Sequence, residues 1–336
     1  NIGGGRTAFS LPELAEIAAQ NHHIFKELQY LSNIDYKPIR YISFAHDEET
    51  YKTLEASKAW SKAEMIAPKQ FREEISPYFN ANPKKYISAL VSEDCWQATP
   101  GKVVDLVRNL GIAAGGTVME DCRVLEACRE GKYTSVLVQT HDKKYVEYRT
   151  EHFVNALGSG AGKLCDSMGI DAGLYPVRHQ AFITRRLPML GKHGTNLDML
   201  IDRQDYKGFS AVYGQQIAYT GQIIGCASPK LDAMRIDKNL KVNTKAFLEI
   251  VSEMFSEWIP DLAGVGIQAV WAGYYTEPRY IVDPELGLFV GMRGHGFMLS
   301  QYIARMYVDK LLGRPVPEYF EKLKLNGPGL SEKAFK

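Results

Sequence analysis

Two places in the sequence carry a strand through glycines into a helix: "VNALGSGAGKLCDSMG" at 154–169 and "GMRGHGFMLSQYIARMYVDKLLG" at 291–313. Glycine has no Cβ, so such turns let backbone N–H groups face outward, where an anion or a polar ring edge is favoured. The first turn approximates a nucleotide triphosphate cradle. That cradle needs G-x-x-x-x-G-K-[ST], with the lysine on the phosphates and the hydroxyl on Mg²⁺. Here the spacing from Gly158 to Gly162 and Lys163 is one residue short, and Leu164 stands in place of the hydroxyl. An ATP-hydrolysing domain is disfavoured. The other reading is a strand ending at Asn155, whose small residues Ala156, Gly158 and Gly160 let something flat or anionic approach the backbone.

Other residue types that could do chemistry are less well spaced for it. His22 and His23 are adjacent on a helix and point in different directions, which makes them poor joint metal ligands. The five cysteines form no C-x-x-C and no histidine-flanked cluster, so neither zinc nor a disulfide framework is indicated, and reduced thiols in a cytoplasmic protein are expected. With 40 basic against 39 acidic side chains the net charge is +1, which argues against nucleic acid or an anionic membrane as partner. No apolar run approaches the roughly 20 residues of a membrane span. A length of 336 residues suits about two domains.

The elements that must position the glycine turns can be read from periodicity. Ser10, Pro12 and Glu13 look like a capped start for a helix over about 11–31, with Leu14, Ile17, Ala18, Phe25, Leu28 and Leu31 at helical spacing. "PIRYISFA" (38–45) reads as a strand, 47–62 and 67–76 as surface helices, and "KYISALVSE" as another strand. Thr99 is expected to cap a helix that begins at Pro100. "GTVMED", "CRVLEA", "TSVLVQT" and "KKYVEYR" then read as a small meander leading into "HFVNALGSG". "LYPVRHQAFITRR", "LDMLIDR", "GFSAVYGQQIAYTG" and "QIIGCA" suggest an antiparallel sheet, and 244–259 a helix. The strands "IQAVWAGYY" and "GLFVGM" lead to the second glycine turn and a last helix; the proline-containing tail after Gly313 is expected to be an extended arm.

Taken together and in this order, these segments resemble the D-amino-acid-oxidase-like superfamily of FAD-dependent amine oxidoreductases, along nearly the whole chain. "TPGKVVDLV" is similar to the family's proline-glycine helix start, "CRV" to its strand beside adenine, and "VNALGSGAG" to its V-N-A-A-G-A segment. "VRHQAFIT" is similar to the start of its substrate sheet, and "WAGYYT" with "RGHGFM" to its C-terminal flavin clasp. As a set, "HQAFIT", "WAGYY" and "GHGFM" most resemble the sarcosine oxidase beta subunit and the catalytic subunit of dye-linked L-proline dehydrogenase. The resemblance implies a mixed α/β (α+β) fold with a glutathione-reductase-like FAD-binding domain over 1–32, 99–171 and 268–336. A substrate domain with a mixed antiparallel sheet would cover 33–98 and 172–267. Family members open with a strand, a G-x-G-x-x-G turn and a helix that receives the pyrophosphate. "NIGGGRTAFS" resembles the segment after that unit, so the unit is expected on a preceding stretch of the same polypeptide or on another chain.

The resemblance also implies roles for residues. FAD would be held by Gly3, Gly4, Gly5 and Arg6 at the flavin, by Val124 at the adenine, and by Asn155, Ala156, Leu157 and Gly158 near the adenosine diphosphate. The C-terminal clasp would add Gly291, Arg293, Gly294, His295, Gly296, Phe297 and Met298. Arg6 matches the position of a carboxylate-binding arginine, His295 would lie at the pyrimidine side of the flavin, and Tyr275 and Tyr219 are candidates for the substrate pocket. His179 and Gln180 fall at the start of the substrate sheet, where a structural role serves equally. Three departures stand out. Met298 replaces the lysine that follows G-H-G-F in sarcosine oxidase. The strand resembling the site of the oxygen-activating lysine, "GQQIAYTG", has none. "TEPRYIVDP" replaces P-D-x-x-P, so pocket contacts from Glu277 to Asp283 do not carry over.

The expected activity is oxidation of a small amino acid or secondary amine to the imine by hydride transfer to FAD, as a dehydrogenase rather than an oxidase. An electron-acceptor protein, quinone or dye would then take the electrons, and the C-terminal arm could contact it; an oligomer or hetero-oligomer is expected. The alternative is a non-catalytic subunit of a flavoprotein complex that keeps the fold without FAD.

Overall fold

The computed structural model describes residues 1–76, 79–80, 82–188, 190, 197–203, 209–217, 220–229, 244–330 and 332. The chain begins with a two-residue strand β1 (Gly4–Gly5) and a long helix α1 (Pro12–Leu31). A proline in the first turn suits the helix start, and Leu14, Ile17, Ala18, Phe25 and Leu28 form its buried stripe. The helix ends where the Ser32 N–H bonds the Leu28 carbonyl. Ser10 is not its cap: the N-cap is Leu11, with no side-chain bond, and the Ser10 N–H instead donates to the Glu332 carboxylate.

Next come β2 (Lys37–Ala45), α2 (Glu48–Ala56), β3 (Ala63–Ile66), the single-turn α3 (Phe71–Glu74) and β4 (Ser88–Gln97). Asp47 caps α2 by accepting from the Thr50 N–H. The stretch 67–76, read as a surface helix, is only a short 3₁₀ segment and this single turn. Helix α4 (Pro100–Ala113) starts where expected, but the Thr99 hydroxyl donates to Asp35 and caps nothing. Only Val103 of α4 is buried, while Val104, Leu110 and Ile112 are exposed.

A separate antiparallel sheet joins β5 (Arg123–Glu130), β6 (Tyr133–Gln139) and β7 (Tyr145–Thr150). "GTVMED" lies outside it, as turn, with Asp121 in the left-handed region at φ 54°. Beyond it α5 (Ala161–Ser167) packs Leu164 on Ala127, Val136 and Val138 of the meander. The leucine that breaks the nucleotide-cradle pattern is therefore a core residue.

The main sheet gathers β1 to β4 with β8 (Tyr175–Thr184), β9 (Met199–Asp202), β10 (Phe209–Gln216), β11 (Ile223–Pro229) and β12 (Ile267–Glu277). Its nine strands run in the order β1-β4-β2-β9-β10-β11-β8-β12, with β3 paired to β4. All pairs are antiparallel except β2 with β9, which makes the sheet mixed. Helix α6 (Thr244–Trp258) covers one face, burying Phe247, Ile250, Met254 and Trp258 against Phe44, Phe182, Leu200 and Val212. Each such side chain contributes about 1.5–3 kcal/mol of transfer free energy. A small hairpin, β13 (Ile281–Asp283) with β14 (Leu288–Val290), leads to α7 (Gly296–Leu311).

The tail after Gly313 is not an extended arm. Residues Glu318–Leu323 form a 3₁₀ helix, and Phe320 and Leu323, three apart and so on one face of such a helix, are fully buried against α1 and α7. Arg279 adds side-chain bonds to the carbonyls of Lys324, Leu325 and Gly327. No helix among the described residues is long and apolar enough to cross a membrane.

Candidate active site

Side chains alternate between the faces of a strand, and this period decides which residues can meet. Ile42, Phe182, Val212 and Ala227 point toward α6. Their neighbours Tyr41, Tyr213 and Cys226, with His179 three positions before Phe182, belong to the opposite face. Tyr275 pairs with Val177 and so shares that face with His179. There the His179 and Tyr275 rings stack 3.7 Å apart, and the Tyr275 and Tyr213 hydroxyls bond each other at 3.1 Å. Burial raises both phenol pKa values, so the two hydroxyls stay protonated at neutral pH. Burial alone lowers His179 to about 3, and its Nδ1 is buried with no hydrogen-bond partner among the described residues.

Arg6 reaches the site from just after β1. It is 4 % exposed, lies with its guanidinium 4.3 Å from the centre of the Phe9 ring, and its Nη2 donates to His295 Nε2 at 3.2 Å. Arginine has no acceptor, so His295 Nε2 must carry the lone pair and Nδ1 the proton. Nδ1–H then donates to the Tyr280 hydroxyl at 2.5 Å. The electrostatics agree: burial, then the charges of Arg6, Arg293 and Arg203, push the His295 pKa well down, so this ring is neutral. Burial likewise lowers Arg6, against the opposing charge of Glu332.

The second glycine turn joins these two groups. At Gly294 a Cβ would stand 2.6 Å from Tyr275 Cε2, so only glycine lets the turn carrying His295 lie against that ring. Gly291 has φ 72°, and its missing Cβ would collide with the Arg279 carbonyl. Arg293 takes φ 52°, a left-handed conformation unusual for a side chain of its size, and its Nε donates to Glu277 at 2.6 Å. Gly296 packs beside Met292, Phe297 beside Phe25 and Trp96, and Met298 joins the apolar packing around α1.

The remaining sequence-derived candidates lie in three settings. The run Gly3, Gly4, Gly5 is closely packed: Cβ atoms there would strike the Ala98 carbonyl, the Tyr41 hydroxyl and the Trp96 indole in turn. Asn155 is fully buried and spends its side chain on the turn, donating to the Ala161 carbonyl and accepting from Leu157 N–H, while its backbone bonds Gly287 and Phe289. Ala156, Leu157 and Gly158 are exposed, and Gly158 has φ 56° with open space where a Cβ would be. Val124 sits at an irregularity in the pairing of β5 with β6, in the three-stranded sheet rather than the main sheet that holds β1. Tyr219 lies outside the described residues.

Sequence reading did not single out Tyr213, Tyr280, Arg203 or Glu332. Tyr213 could have been found from the alternation of "GFSAVYGQQ", since Val212 and Tyr213 must face opposite ways. The others had no local signal. The cavities of about 220 Å³, between α6 and β8, β11 and β12, and about 100 Å³, around Arg129 and Glu285, lie away from Arg6 and His295. The first is apolar and the second surrounds charged side chains unrelated to the tyrosine wall, so neither is the candidate site. No group of three or more metal-ligating side chains exists among the described residues.

The site thus joins a buried arginine–histidine pair to a wall of two tyrosines and a histidine on one face of a mixed sheet, with the Gly294 turn packed against it. The chain belongs to the FAD dependent oxidoreductase (DAO) family, whose model matches residues 2–310. Among curated proteins none matches this sequence. Solved structures share the fold. L-proline dehydrogenase from P. horikoshii is 22% identical, with a TM-score of 0.77 over 96% of this chain and 85% of that one. Glycine oxidase from Geobacillus kaustophilus is 16% identical, with a TM-score of 0.76 over 96% and 86%. Iminodiacetate oxidase from Chelativorans sp. is 14% identical, with a TM-score of 0.71 over 98% and 92%.

Family membership implies FAD, and the residues present fit it in two respects. The exposed backbone at Ala156 to Gly158 can be approached closely because nothing stands where a Gly158 Cβ would be. The unpartnered His179 Nδ1, beside Tyr275 and the Gly294 turn, is a buried polar atom that a polar ring edge could satisfy.

Proposed function

We propose that this protein oxidises a small amino acid or carboxylate-bearing secondary amine to the imine, as a dehydrogenase rather than an oxidase. The observation that carries the reading is the buried contact between Arg6 and His295 beside the Tyr275–Tyr213 wall. FAD, when bound, supplies the acceptor for the hydride leaving the carbon next to nitrogen. The chain's own residues do the rest. Arg6 pairs with the substrate carboxylate, a charge-assisted contact strengthened by burial. Tyr213, Tyr275 and His179 form the wall against which the amine-bearing carbon is oriented. The positive field of Arg6, Arg203 and Arg293 disfavours an ammonium ion, which lets the substrate nitrogen keep the neutral form that oxidation requires. His295, whose lone pair accepts from Arg6, orients the guanidinium and does not serve as a base.

Proline, glycine and iminodiacetate, named for the three structural relatives, are all small amino carboxylates, and this supports the substrate class. The absence of lysine from "GQQIAYTG" supports the dehydrogenase reading. The FAD contacts expected at Gly158, Arg293, Gly294 and Gly296 belong to the same proposal.

The test is anaerobic mixing of the flavin-containing protein with proline, sarcosine, glycine and iminodiacetate. Bleaching of the flavin absorbance by at least one of them is expected, and Arg6→Gln should raise the concentration needed by about 30-fold or more. In air, turnover with a dye acceptor should outrun peroxide release. A protein that holds FAD but is bleached by no amino carboxylate contradicts the substrate reading, and stoichiometric peroxide contradicts the dehydrogenase reading.

A further inference from the structure

The turn that carries His295 is gripped by the end of β12 and the connection after it. Each of its three residues meets a different side chain there. Arg293 Nε donates to the Glu277 carboxylate at 2.6 Å, Gly294 lies against the Tyr275 ring, and His295 Nδ1 donates to the Tyr280 hydroxyl at 2.5 Å. From the other side His295 meets Arg6 at 3.2 Å and stands edge-to-face with the Phe9 ring. Glu277 and Tyr280 both come from "TEPRYIVDP", the stretch whose contacts do not carry over from the family pattern.

Arg293 is the costly member of this turn. Its φ of 52° lies in the left-handed region, which glycine adopts freely and a side chain of this size does not. A non-glycine residue stays in such a conformation where its surroundings over-determine it. Here the Glu277 bond does so: the Arg293 and Glu277 side chains are 12% and 18% exposed, which leaves the pair little screened by solvent. Strain kept for the sake of a side-chain contact points to a use for that contact.

We propose that Glu277 and Arg293 are positioning residues: their ion pair latches the end of β12 to the turn, fixes the His295 ring, and through His295 sets the direction in which Arg6 presents its guanidinium to a carboxylate. The proposal rests on Arg6 being the substrate's carboxylate anchor. Neither latch residue touches the substrate; breaking the pair loosens the orientation of Arg6 and leaves the fold in place.

The probe is propionate, a carboxylate with no oxidisable amine, and the readout is calorimetric binding to the flavin-containing protein. Arg293→Gly keeps the left-handed backbone without strain but removes the latch. Its Tm should stay within about 2 °C of that of the unaltered protein. Propionate should nevertheless bind about ten-fold more weakly, a coupling on the scale found within one hydrogen-bonded network. The double variant Glu277→Ala/Arg293→Gly removes both charges and should show the same loss. Arg293→Lys, which can still pair with Glu277, should recover most of the affinity. Unchanged affinity in Arg293→Gly overturns the latch. So does full recovery in the double variant, which would trace the loss to an unpaired Glu277 charge, or an Arg293→Lys protein no better than Arg293→Gly. Binding lost in Arg6→Gln but kept in Arg293→Gly overturns the latch alone, whereas binding that survives Arg6→Gln overturns the anchor and the latch together.

Discussion

Gly294→Ala is the sharpest single perturbation of the site, because one methyl group tests both its packing and its chemistry. The new Cβ would fall 2.6 Å from Tyr275 Cε2. Carbon atoms rest about 3.5–4.0 Å apart, so the ring edge or the turn must move by about 1 Å. The ring has little freedom to do so, being stacked on His179 at 3.7 Å and tied to the Tyr213 hydroxyl at 3.1 Å. Overpacking of this kind costs about 1–3 kcal/mol. An unfolding entropy of about 2.1 cal/mol/K per residue gives about 0.7 kcal/mol/K for a chain of this length, so Tm should fall by about 1.5–4 °C. The effect on activity should be larger in proportion, because a displacement of about 1 Å in a substrate-positioning group costs about 100-fold. The control is Gly111→Ala on the exposed helix α4, where a Cβ meets nothing within 4 Å. The assays are thermal melting and the rate of anaerobic flavin reduction by the best amino carboxylate. A Gly294→Ala protein matching the Gly111→Ala control in both would refute the placement of Tyr275 against the turn and its part in binding substrate.

Away from the site, His46 donates from Nδ1 to the Lys85 carbonyl and from Nε2 to the buried Asp202, which requires the charged imidazolium. Burial opposes that charge, but the hydrogen bond and charge of Asp202 outweigh it and hold the pKa above its ordinary value. The pair therefore contributes its full stability below the unfolded pKa of about 6.5 and loses it as pH rises through the folded value; Tm should decline across that range, and His46→Gln should flatten the profile. Phe320→Ala should cost about 3–5 kcal/mol, or about 4–7 °C in Tm, because the ring is fully buried against α1 and α7; a change below 1 °C would mean the tail does not pack there. Gly291→Ala combines φ 72° with a collision against the Arg279 carbonyl, and should lower Tm more than Gly158→Ala, where φ is 56° but the space is open; equal melting would contradict the Gly291 geometry.

Much of the architecture was legible because it is written in short-range pattern. The stripe Leu14, Ile17, Ala18, Phe25, Leu28 located α1 to within a residue, and the longer strands of the main sheet were read as apolar runs between turns, whereas the short β1 and β3 were not. The family could be read from the two glycine turns and their flanking strands. Misreadings came where a long-range contact overrode a local preference. Ser10 had the chemistry of a cap, yet its N–H meets Glu332, 322 residues away. The prolines after Gly313 suggested an arm, but burial of Phe320 and Leu323 outweighs the freedom they would keep in water.

What the sequence determined by itself, then, is most of the longer helices and strands, the glycine turns and the family to which the chain belongs, since all of these depend on neighbours within a few positions. Only the tertiary structure decided that Arg6 meets His295 across 289 residues, that Tyr213 and Tyr275 share a face, and that Glu332 of the tail reaches the Ser10 N–H. Propensity and periodicity act within a turn or a strand, whereas these meetings depend on the pairing register of β8, β10, β11 and β12 and on the packing of the tail, which no local pattern encodes.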